Sequence, residues 1–168
     1  MRSGRTAIDL ACGNGQWTRQ LAVWGLKVTG YDFSPEALRQ AANAGMRDRL
    51  SYARWDIDVE SIPDDLRPSG IDVVTCRFAL PYLDRARLLT DVGRWLADSG
   101  TFYALVRVDV QGADTRPAPG PDEAAGAEAF RRGLTEEQIQ SLGHGWAHRE
   151  TYSLSRWHRA IMLRGYGG

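Results

Sequence analysis

Apolar and polar positions follow two spacings along this chain, and the switches between them mark its elements. Residues 6–11 (TAIDLA) form a short apolar run of strand length. Trp17, Leu21 and Trp24 then fall at i, i+4 and i+7, which is one face of a helix that Gly25 ends. Residues 26–32 (LKVTGYD) read as the next strand. Ser34 followed by Pro35 supplies a cap and a first-turn proline for a helix that closes at Gly45. Residues 50–56 (LSYARWD) predict a third strand. Residues 61–70 (SIPDDLRPSG) predict a turn-rich connection with at most one short helix. Residues 71–78 (IDVVTCRF) predict a fourth strand, buried on both faces.

Further on, Leu88, Val92, Trp95 and Leu96 line one helical face, with Gly100 following the helix. Residues 101–108 (TFYALVRV) predict a fifth strand. Residues 109–133 are rich in Gly, Pro, Ala and acid, and are expected to form a flexible or lid-like loop. Thr135 and Gln138 have the spacing of a capping box. Two strand-like runs, 146–154 and 156–166, are joined so tightly that they should pair as an antiparallel hairpin.

The predicted fold is therefore α/β: a Rossmann-like, mostly parallel seven-stranded sheet with helices on both faces and a C-terminal antiparallel hairpin. The 168 residues suit a single domain. Ligands of such sheets bind beyond the carboxyl ends of the strands, where the loop after the first strand lies.

Charge changes the picture only by exclusion. Lys and Arg balance Asp and Glu at 21 each, so no general attraction to nucleic acid or to an anionic membrane is expected. Nearly all the cations are Arg, scattered rather than striped. Cys12 and Cys76 sit in strand-like contexts without metal-ligand spacing, and the expectation is a reduced, cytoplasmic protein with no metal. No run is long and apolar enough for a signal peptide or a membrane span.

The candidate chemistry gathers around Gly13 and Gly15. Glycine lets backbone turn tightly or approach a ligand closely. A dinucleotide loop would place a third glycine near position 18, where Thr18 stands, and a P-loop would place Lys before Ser or Thr. The glycines alone leave open a cofactor loop or a structural corner. Asp9 inside the first strand, Asp32 ending the second and Asp56 ending the third tip the balance. Carboxylates at neighbouring strand ends suit a ligand with positive charge and hydroxyl donors and repel one with phosphates.

The stretches IDLACGNGQW, VTGYDFSPEAL, RWDID and IDVVTCRFALPYL resemble the successive motifs of class I S-adenosylmethionine-dependent methyltransferases. One departure is Trp17, where many members carry a third glycine. The resemblance implies that Ala11, Gly13 and Gly15 border the methionine half of the cofactor, with Asp9 supporting its ammonium group directly or through water. It implies that Asp32 holds both ribose hydroxyls, Phe33 packs on the adenine, and Asp56 and the Ile57 backbone read the adenine edge. Cys76 and Arg77 would border the methyl group. Asp72 reads instead as a structural cap or pair.

Tyr82 and Arg77 are the candidate catalytic residues, Arg77 as an orienter of an anionic substrate. His144, His148 and His158 are weaker candidates for a general base and read first as structural. The expected function is methyl transfer to a small molecule, in secondary metabolism. The alternative is a cofactor-binding relative without methyl transfer: regulatory, partner-dependent or catalysing another reaction. A nucleotide-dependent oxidoreductase and an RNA methyltransferase fit less well. Few residues precede the first strand, which leaves three readings: a trimmed chain, a homodimer or partner protein that completes the amino-terminal lid, or a fold kept after methyl transfer was lost.

Overall fold

The computed structural model describes residues 4–109 and 132–167. Most of the expected loop, residues 110–131, lies outside the described residues. Strand β1 is Thr6–Leu10, helix α1 Gln16–Val23, β2 Lys27–Asp32, α2 Pro35–Asn43 and β3 Leu50–Arg54. Strand β4 is Ile71–Arg77, followed by a 3-10 turn at Leu80–Tyr82 and by helix α3, Arg85–Trp95. Strand β5 is Leu96–Arg107, helix α4 Glu136–Ser141, β6 Trp146–Ser155 and β7 His158–Tyr166.

The strands form one seven-stranded sheet in the order β3-β2-β1-β4-β5-β7-β6. Pairs from β3 to β5 are parallel, and β7 runs antiparallel to both its neighbours. This is the expected architecture, with the hairpin inserted so that its second strand joins the sheet.

The local caps behave as their residues dictate. The Ser34 side chain accepts from the Ala37 N–H at the start of α2, and Pro35 occupies the first turn. Thr135 and Gln138 close a reciprocal capping box on α4. The end of α3 departs from expectation. The helix stops at Trp95, and Leu96 to Gly100 belong to β5. Leu96 pairs with Ile71, and a register irregularity carries the ladder on to Val73 and Thr101. Sheet pairing thus outcompetes the helical spacing that Leu96 shares with Leu88 and Val92. Strand β4 is less buried than its apolar run implies, since Asp72, Val73 and Arg77 are half-exposed. Asp72 is structural as expected: its carboxylate accepts from the backbone and hydroxyl of Thr6.

The core divides unequally across the sheet. The larger cluster includes Leu10, Val74, Phe102, Ile161, Leu88, Val92, Trp95 and Ile139, on the face that α3 and α4 cover. The smaller cluster joins Ala7, Leu21, Leu26, Val28 and Leu50 under α1.

Candidate functional site

The chain leaves β1 through a loop of unusual backbone. Ala11, Gly13 and Gly15 all take positive φ, at 53°, 54° and 71°. Ala11 is thus the non-glycine that holds a left-handed position in this loop. Trp17, the position flagged by the resemblance, lies instead in the first turn of α1. The two glycines serve different ends. A side chain at Gly13 would meet nothing within 4 Å, so that edge of the loop is open for a ligand. A side chain at Gly15 would run into the Tyr52 hydroxyl and the Ala41 methyl, so Gly15 seats the loop on the sheet.

Asp32, at the tip of β2, ties this loop to the next. One carboxylate oxygen accepts from the Gly13 N–H at 2.8 Å and the other from the Ser34 N–H at 2.9 Å. Each oxygen retains a lone pair. Phe33 follows with its ring 63% exposed, a flat apolar surface left in solvent beside the buried carboxylate.

Asp9 is 2% exposed and points into the face that α1 covers. Thr18 and Thr75 each donate a hydroxyl to it at 2.7 Å, from α1 and from the strand position paired with Asp9. Burial pushes its carboxyl up to about 6, although both hydroxyls and the nearby Arg77 charge pull the other way. Neither threonine was singled out from sequence as its partner. Thr75 is 66 residues away, and only the β1–β4 register reveals it.

Asp56 and Ile57 follow β3 at the adjoining tip, both half-buried. Asp56 receives the Asp58 N–H at 3.2 Å and donates its own N–H to Glu60. Cys76 is fully buried, and burial raises its thiol to about 12. Its side chain belongs to the core, which leaves its backbone as the part able to border a ligand. Arg77 emerges from the end of β4 with its guanidinium 4.7 Å from the centre of the Trp17 ring. The Tyr82 hydroxyl accepts from the Arg132 N–H at 3.0 Å. His144 lies between α4 and the Trp146–Tyr166 pair and His148 on β6 opposite Arg164, both near the other end of the sheet, whereas His158 begins β7 beside the end of β5. Among the described residues no group of His, Cys, Asp and Glu has metal-binding geometry, and no helix is long and apolar enough to cross a membrane. A groove of about 530 Å³ lies elsewhere, between α3 and the turn after α4.

The glycine loop, Asp9 within β1 and the acids that end β2 and follow β3 gather at one edge of a mostly parallel α/β sheet. The chain belongs to the methyltransferase-domain family, whose pattern residues 7–100 match. A ubiquinone biosynthesis O-methyltransferase from Methylococcus capsulatus is 32% identical over 102 residues, covering 60% of this chain and 43% of that protein. The chain thus spans less than half the length of this curated relative. Two solved structures share the fold. An S-adenosylmethionine-dependent methyltransferase from Mesorhizobium loti superposes with a TM-score of 0.71 at 23% identity, covering 96% of this chain and 91% of that one. Phosphoethanolamine N-methyltransferase 2 from Haemonchus contortus, in complex with S-adenosyl-L-methionine, gives 0.73 at 16% identity, covering 99% and 50%.

Proposed function

We propose that this chain binds S-adenosylmethionine across the tips of β1, β2 and β3 and directs its methyl group to a small-molecule acceptor. The observation that carries this is the Asp32 carboxylate, fixed by the Gly13 and Ser34 N–H groups beside an open glycine edge. A carboxylate so held is preorganised, with lone pairs left for two ribose hydroxyls. The fit extends outward from it. Phe33 offers an exposed ring for the adenine, and Asp56 with the Ile57 backbone stands at the next tip for the adenine edge. Ala11, Gly13 and Gly15 present backbone to the methionine half, Asp9 supplies negative charge beneath the ammonium group, and the Cys76 backbone borders it.

When bound, the cofactor supplies an electrophilic methyl group on a sulfonium. The protein's share of the work is to hold the acceptor in line and keep water out. Arg77, at the end of β4, and Tyr82, in the 3-10 turn after it, are assigned here the positioning of the acceptor. Relatives named for O-methylation in ubiquinone biosynthesis support a small-molecule acceptor and lend nothing to a setting in secondary metabolism.

Isothermal titration with S-adenosylhomocysteine tests the proposal. Binding in the micromolar range is expected, weakened at least about tenfold by Asp32→Ala. No heat at high micromolar ligand, or equal affinity in the variant, would remove the site.

A further inference from the structure

Once the tips of β1, β2 and β3 are given to the cofactor, the acceptor's side of the cleft is the rim made by β4, β5 and the start of β7. Three charged or titratable residues there share one face of the sheet. Arg77 ends β4 opposite Leu105 of β5, and Arg107 ends β5 two residues further on, opposite His158 at the start of β7. Residues two apart on a strand, or opposite one another across a ladder, project to the same side. That side is the one α1 covers, because Arg77 lies against Trp17. Phe78 stands between them at the rim: its ring centre is 5.6 Å from the Arg77 guanidinium carbon and 5.7 Å from the His158 ring. It does so from a left-handed backbone, φ 63°, a conformation that non-glycine residues disfavour.

The two arginines are alike in a second respect. Among the described residues neither Arg77 nor Arg107 makes an ion pair with a carboxylate, a trait they share with other arginines such as Arg85, and it is their common face at the strand ends that sets the two together. Both are half-buried. Arg77 already has the Asp9 carboxylate within electrostatic reach, and a half-buried guanidinium that has given up part of its hydration gains from a bound oxyanion. Arginine is the side chain whose fork matches a carboxylate or phosphate in bidentate fashion.

We propose that the methyl acceptor carries an oxyanion, a carboxylate or a phosphate monoester, that Arg77 and Arg107 clamp at this rim, with Phe78 and His158 presenting ring surface to the adjoining part of the acceptor. This rests on the cofactor assignment above. It makes Arg107 a specificity-determining residue some distance from the glycine loop.

The test uses the whole chain saturated with S-adenosylhomocysteine, whose own binding is measured first. Benzoate and phenyl phosphate are then titrated against their uncharged counterparts, benzamide and phenol. The expected result is that at least one oxyanion binds about tenfold or more tightly than its counterpart. Arg107→Met abolishes that preference and Arg107→Lys restores part of it, both variants binding S-adenosylhomocysteine as the parent chain does. Benzoate binding alone identifies a carboxylate, and phenyl phosphate alone a phosphate. If the homocysteine ligand binds but charged and uncharged probes bind alike, or none binds at millimolar concentration, the clamp is wrong and the cofactor assignment stands. If that ligand gives no heat, the cofactor assignment itself has failed.

Discussion

At the scale of single residues, Asp9 sets stability against binding. Its carboxyl titrates near 6 in the folded protein because burial penalises the charge, against 3.8 when exposed. The folded chain therefore holds the proton more tightly than the unfolded chain between about pH 4 and pH 6, and stability must fall as pH rises through that window. Above it the loss is constant, at most about 3 kcal/mol. Asp9→Asn keeps the shape and an acceptor for one threonine hydroxyl. We expect its melting temperature at pH 8 to equal or exceed that of the parent, with a flatter profile between pH 4 and 6, while affinity for S-adenosylhomocysteine drops. Thermal melts across pH, paired with titration calorimetry, check both halves. A variant clearly less stable than the parent at pH 8 would contradict the account. Gly15→Ala makes the opposite case: an added methyl meets Tyr52 and Ala41 and must hold φ 71°, so the loop cannot keep its seat. Binding should be lost along with about 1–3 kcal/mol of stability in a denaturant titration.

At the scale of elements, legibility follows locality. The caps of α2 and α4 were readable because Ser34 and Thr135 bond to groups three residues away. The strands were readable from their apolar runs and the hairpin from its short connection. The boundary between α3 and β5 was not, since Leu96 is drawn into the sheet by pairing with Ile71 far upstream and the ladder resumes at Thr101 opposite Val73. For the same reason the site was half legible. The acids at strand ends and the glycines could be named, but the threonines on Asp9 and the alignment of Arg77 with Arg107 and His158 exist only through the register of the sheet. Ser34 separates two roles within a single residue: its hydroxyl caps α2, and its N–H holds Asp32. Ser34→Ala removes only the first. It should lower stability by about 1 kcal/mol in urea while leaving affinity for S-adenosylhomocysteine within about twofold. A large loss of affinity would show that the hydroxyl, rather than the backbone, organises the carboxylate.

At the scale of the whole molecule, the uneven core decides which part yields first. The α3 and α4 side buries three tryptophans (Trp55, Trp95 and Trp146) and much of β4, β5 and β7. The α1 side rests on a handful of aliphatic residues, and Trp24 at the end of α1 is 44% exposed. Regions with few buried apolar contacts open locally at lower free energy than the global transition. Backbone amides of α1 and α2 should therefore exchange with deuterium faster than those of β4, β5 and β7 in the free protein. The proposed ligand site uses the glycine loop and the tip of β2, which belong to the weaker half. Binding there stabilises the native state by mass action, by about 2.7 kcal/mol at a hundredfold excess over Kd. That stabilisation should appear as slowed exchange concentrated in α1, the glycine loop and the start of α2, and only weakly in β5 and β7. If S-adenosylhomocysteine instead protected the β5–β7 half first, the cofactor would have to lie at the rim where Arg77 and Arg107 stand. The division of the cleft between nucleoside and acceptor would then have to be reversed.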